Sequence, residues 1–161
     1  MTNTANIQRG FTLIEVLVTM IILSVGLIGM AGLQATGLKS NNRALHRTQA
    51  SFLAYDIIER MRANAGSINQ YAISLGSTPA SVTECAAVGA AWDSTALAYY
   101  DVAFWQCSVN SACTDFANGY LPNGKGSITI AGNTAEVKIQ WVTGTNKDGD
   151  LTEELTIASD F

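Results

Sequence analysis

Residues 9–38 read RGFTLIEVLVTMIILSVGLIGMAGLQATGL, and after Glu15 no charge appears until Lys39. The charge-free run Val16–Leu38 is 23 residues long. At about 1.5 Å per residue, a helix of that length exceeds the roughly 30 Å hydrocarbon core of a bilayer. Apolar runs of 10–14 residues fit a buried core helix; this one is long enough to read as a membrane span. The preceding MTNTANIQRG is short and polar with its single charge at Arg9, unlike a secretory signal peptide. No small-x-small cleavage site follows the run, and Ala31-Gly32-Leu33 is a poor candidate, so any trimming is expected in front of the run. Glu15 stands inside apolar surroundings, where a carboxylate near a helix end costs on the order of 2–3 kcal/mol. Either it snorkels to the interface or it meets a cation. A cut after Gly10 creates such a cation, the α-amino group of Phe11 on a neighbouring copy or partner, and the pair would fix the register between helices.

Outward from this stretch, the 161 residues are unevenly charged. Only 14% of them are charged, 48% are hydrophobic, and the net charge is −4. The hydrophobic content excludes a disordered chain, and the acidic balance argues against a nucleic-acid binder. Divided after Asn64, the first part carries Arg9, Lys39, Arg43, Arg47, Arg60 and Arg62 against Glu15, Asp56 and Glu59, a net of +3. The remainder sets three lysines against ten carboxylates, a net of −7, so the two parts face different environments or partners.

The helical pattern continues past the apolar run. Leu38, Leu45 and Phe52 recur every seven residues, and Leu53, Ile57 and Met61 every four, which predicts one apolar stripe. Asp56 with Arg60 and Glu59 with Arg62 stand at pairing distance on that helix, and Asn64-Ala65-Gly66 reads as its stop. A single helix over about residues 12–64 would be roughly 80 Å long, with a lipid or filament-core half and an amphipathic half covered by a head. Gly26, Gly29 and Gly32 either form a close-packing face for other helices or make the run easier to unwind. Lys39, Arg43, His46 and Arg47 are placed to meet lipid phosphates or acidic partners. By the positive-inside rule they pull against a cytoplasmic amino terminus.

Asp93 or Ser94 can cap a second helix carrying Leu97, Tyr100 or Asp101, Phe104 and Trp105 at helical spacing. Ser127–Ala131 alternates, Gly132-Asn133 turns, and Ala135–Val142 alternates again with Val137, Ile139 and Trp141 on one face. Thr143–Asp150 is rich in turn residues, and Leu151–Ala158 supplies a third strand. The expected fold class is α+β: a long amino-terminal helix packed on a small antiparallel sheet.

Cys85, Cys107 and Cys113 allow one internal disulfide. Cys107 and Cys113 flank SVNSA, and a short bridge between them is the first choice if that stretch is a loop, since six residues of continuous helix hold them too far apart. Pairings with Cys85 stay open. Asn146, Asp148 and Asp150 alternate as in a calcium loop, but Leu151 stands where such a loop needs glycine, and Asp148-Gly149 reads as a turn. The one histidine, His46, has no cysteine nearby, and no catalytic triad, phosphate loop or metal-ligand spacing is present. No enzyme, metal or cofactor is expected.

Arg9-Gly10-Phe11-Thr12-Leu13-Ile14-Glu15-Val16 resembles the class III signal of type IV pilins and type II secretion pseudopilins. The resemblance implies cleavage by prepilin peptidase between Gly10 and Phe11, N-methylation of Phe11, and an assembly counter-charge at Glu15. It also implies a type IV pilin-like fold. GLIGMAGLQ followed by NNRALHRTQASFLAYDIIERMRAN, and the later LPNGKGSI, are similar to minor pilins of the PilV (type IV pilus modification) group. Between Trp105 and Leu121 the chain is longer than that group's usual pattern. The implied organisation is a cleaved leader at 1–10, a transmembrane and assembly half of the helix at 11–38, an amphipathic half at 39–64, and a periplasmic head at 65–161. The implied function is that of a minor pilin helping to prime type IV pilus assembly, with downstream adhesion or twitching motility. Its implied partners are other minor pilins, the major pilin, prepilin peptidase, the inner-membrane assembly machinery and lipid, with no nucleic acid. The cleavage motif must face the peptidase and the cysteines favour an oxidising side, so the amino terminus is expected inside and the head outside. The rival readings are a type II secretion pseudopilin and a periplasmic binding or enzymatic domain tethered by its signal.

Overall fold

No proline occurs before Pro79, and one helix, α1, runs unbroken through Leu13–Ala63 in the computed structural model, which describes residues 11–77, 93–110, 119–147 and 149–161. Contacts divide the chain into two units, Met1–Asn42 and Arg43–Phe161.

In the first unit, every described side chain is exposed. Three of its hydroxyls turn back onto their own helix: Thr19 Oγ1 donates to the Val16 carbonyl, Ser24 Oγ to Met20 and Thr36 Oγ1 to Gly32. These polar atoms therefore need no external partner, as a lipid environment requires. A Cβ added at Gly26, Gly29 or Gly32 would touch nothing within 4 Å.

In the second unit, the rest of α1 buries Ala50, Leu53, Ala54, Ile57, Ile58 and Met61, a stripe of i, i+3, i+4 spacing. Leu53, Ile57 and Met61 fall in it as expected. Leu38, Leu45 and Phe52 do not: they are 66%, 52% and 71% exposed. Successive helical residues are about 100° apart, so a face centred on Ile57 leaves Leu45 and Phe52 roughly 120° and 140° away, outside the buried stripe. The helix ends at Ala63 and tightens into a 3-10 segment, Ala65–Tyr71, instead of closing on a left-handed Gly66.

Helix α2 spans Ser94–Val109 and starts at Asp93, whose side chain accepts from the Ala96 N–H at 2.7 Å. Its buried face includes Ala98, Asp101, Val102, Trp105 and Val109, while Leu97 points outward. The sheet is antiparallel in the order β1 (Lys125–Ala131), β2 (Thr134–Asn146), β3 (Gly149–Asp160). Gly132-Asn133 forms the first hairpin loop, with a positive φ of 62° at Gly132 that a β-carbon would disfavour. The turn-rich stretch 143–150 is mostly strand, for β2 and β3 stay paired out to Asn146 and Gly149, with a register shift between Val142 and Gly144. Thr143 and Thr145 are β-branched, which favours the strand.

Val137, Ile139 and Trp141 face inward and are fully buried, as their alternation predicts. They join the α1 stripe and the inner face of α2 in one core. Trp105 is its keystone: the indole N–H donates to the Leu53 carbonyl at 2.8 Å, and the ring covers Gly126 so closely that an added Cβ would overlap it. The result is the expected α+β fold, with a long apolar helix and a small antiparallel sheet.

Candidate functional site: the amino-terminal segment and the polar clasp

Gly10 lies outside the described residues. Phe11 precedes the helix and is 84% exposed. Thr12 opens α1, its carbonyl accepting from the N–H groups of Glu15 and Val16. That places Glu15 in the first turn, where a carboxylate is favoured by the positive helix end. Glu15 is exposed and has no ion-pair partner among the described residues. It stands between exposed Ile14 and Val16 at the head of the apolar run. The span criterion of length and hydropathy is met by α1 alone among the described residues.

Sequence reading missed a second group. Asp101 on α2 is 5% exposed and is held by two donors. Arg60 Nη1 reaches its Oδ1 at 2.9 Å, and the Tyr71 hydroxyl reaches its Oδ2 at 2.8 Å. Arg60 Nε also donates to Asp56 at 3.0 Å, and its guanidinium lies 4.9 Å from the centre of the Phe104 ring. Asn64 Nδ2 donates to the Tyr71 hydroxyl at 3.2 Å and to the Ser94 carbonyl at 2.6 Å. Burial first, and then the bond to Asp101, push the Tyr71 hydroxyl up to about 12. For Arg60, burial pulls down but the hydrogen bonds to Asp101 and Asp56 outweigh it, so its pKa is raised. The group ties the end of α1, the 3-10 segment and α2 together. The predicted Asp56–Arg60 and Glu59–Arg62 pairs both form.

Cys107 is fully buried near the end of α2. Cys85 and Cys113 lie outside the described residues, as does the expected Cys107–Cys113 pairing. Asp148 also lies outside them, and Asp150 accepts from Thr145 Oγ1 at 2.9 Å. Among the described residues, no three His, Cys, Asp or Glu side chains gather as metal ligands. The polar clasp is a cation, carboxylate and phenol locked in mutual bonds, an arrangement that holds elements together and presents no activated nucleophile.

Comparison with protein families gives two matches. Residues 5–31 match the prokaryotic N-terminal methylation motif, and residues 32–103 match the family described as type IV pilin Tt1218. Comparison with curated proteins and with solved structures gives no match. The two family matches adjoin at residues 31 and 32, run through the apolar helix into α2, and belong to a structural rather than an enzymatic family. With a methylation motif in front of an apolar helix, and that helix followed by a small antiparallel sheet, this chain belongs to the type IV pilin superfamily.

Proposed function

We propose that the chain is a minor pilin of the PilV type, processed by prepilin peptidase between Gly10 and Phe11 and N-methylated on Phe11. It waits in the inner membrane with its head in the periplasm. It then joins other minor pilins and the major pilin through the assembly machinery to prime the type IV pilus. One observation carries this reading: Glu15 occupies the first turn of α1, four residues after Phe11 and ahead of 23 residues without charge. A lone carboxylate at that point is unfavourable in lipid and useful in an assembly that brings it an ammonium group. The α-amino group of Phe11 on a neighbouring subunit supplies that group, and pairing fixes axial register. Cys107 with Cys113 is the disulfide this reading favours for the head.

The test is processing and assembly in cells. Mass spectrometry of the wild type should find a chain beginning with methylated Phe11, whereas Gly10→Val should retain residues 1–10. Glu15→Leu should be processed normally yet lose most of its co-purification with partner pilins. Full co-purification of Glu15→Leu would remove the counter-charge role, and an intact Met1 in the wild type would remove the processing.

A further inference from the structure

The five basic residues of α1 fall into two groups that differ in how they are satisfied. Arg60 and Arg62, at the carboxyl end, are bonded to Asp56, Asp101 and Glu59. Lys39, Arg43 and Arg47 are exposed and have no ion pair among the described residues. They follow one another at intervals of four, and the first directly succeeds Leu38, the last residue of the charge-free run. The nearest carboxylate in sequence on the amino-terminal side is Glu15, and the next toward the carboxyl end is Asp56. Three cations thus begin where the hydrocarbon core ends, with no acid of their own segment to neutralise them.

We propose that Lys39, Arg43 and Arg47 bind the phosphate headgroups of anionic lipids at the end of the span opposite Glu15. This rests on the membrane-spanning reading of Val16–Leu38. Each cation near a charged bilayer surface gains on the order of 1 kcal/mol, and screening by salt weakens it. Four-residue spacing keeps a helical row on one face, and the long, flexible side chains reach along the roughly 12 Å of helix between the first cation and the last to the same headgroup layer. His46, half-buried with Nδ1 3.3 Å from Gln49 Oε1, is turned to its own helix and takes no part. The basic row thereby sets how deep the helix sits and favours anionic lipid around the subunit before assembly.

The experiment uses the full chain in vesicles of phosphatidylcholine containing trace spin-labelled phosphatidylglycerol or spin-labelled phosphatidylcholine. Electron spin resonance then reads the fraction of each probe immobilised by the protein. The wild type should prefer the anionic probe by about three- to fivefold, falling toward parity in 1 M salt and in K39Q/R43Q/R47Q. Parity in the wild type, or a preference that survives the triple substitution, overturns the proposal. Salt-sensitive self-association of the wild type at lipid parity also overturns it, since that outcome assigns the row to acidic protein. Alkaline extraction of the same vesicles tests the span separately. Retention of both chains with no lipid preference defeats the headgroup contact alone, while release of the wild type defeats the span and the proposal with it.

Discussion

Asp101 shows how much a single buried side chain can decide. Its carboxylate is nearly inaccessible, so its charge is tolerable only because Arg60 and Tyr71 both donate to it. Asp101→Ala should destabilise the head by about 2–4 kcal/mol, read from denaturant unfolding followed by tryptophan fluorescence. Tyr71 adds a pH dependence whose sign is fixed by its raised pKa. Below pH 10 the phenol is neutral in both folded and unfolded chains. From pH 10 to about 12 the unfolded chain loses the proton first, so stability falls with rising pH. The unfolding midpoint of the wild type should drop more steeply over that window than that of Tyr71→Phe. None of this cluster was legible in the sequence beyond the Asp56–Arg60 spacing. Arg60 and Asp101 stand 41 positions apart, and only tertiary packing chooses Asp101 over neighbouring Tyr100 for the inner face.

At the scale of elements, the long helix, the Asp93 cap, the Gly132-Asn133 turn and the inward face of β2 were all legible. Each is fixed by local rules: continuity without proline, a cap acceptor, a residue that adopts positive φ, and alternation. The exposure of Leu38, Leu45 and Phe52 is not legible in the sequence, because periodicity identifies a face and not what covers it. The head covers the face of Leu53 and Ile57 and leaves the other exposed. Nothing in the sequence marks Gly126 as a packing position, yet the Trp105 ring occupies the space its side chain would need. Gly126→Ala should therefore cost about 2–3 kcal/mol, with a weakened near-ultraviolet tryptophan signal as the indole is displaced from the Leu53 carbonyl. Alanine at Gly66, where a Cβ meets nothing within 4 Å, is the control and should leave stability within about 0.5 kcal/mol.

For the whole molecule, the division at Asn42 and Arg43 separates the first stretch of α1, with no buried side chain among its described residues, from a unit with its own core. A fragment Arg43–Phe161 should fold cooperatively in water without detergent. A fragment beginning at Ala65 should not, because it lacks six buried side chains of α1, each worth about 1–3 kcal/mol of apolar burial for the larger ones. Circular dichroism and thermal unfolding of the two fragments check this. Identity was readable from the residues around Gly10 and Glu15. The arrangement of the head was only partly so, because its contacts join segments dozens of positions apart.

The stripe from Ala50 to Met61 lies along the axis of α1, and Trp105 bonds to that axis partway, at Leu53. A tension applied along the stretch of α1 that belongs to this second unit, residues 43–63, therefore runs parallel to this contact line. Such a load shears all six buried side chains together, where a sideways pull would peel them away one after another. The head is accordingly fastened in the direction that best resists mechanical force delivered along its own helix.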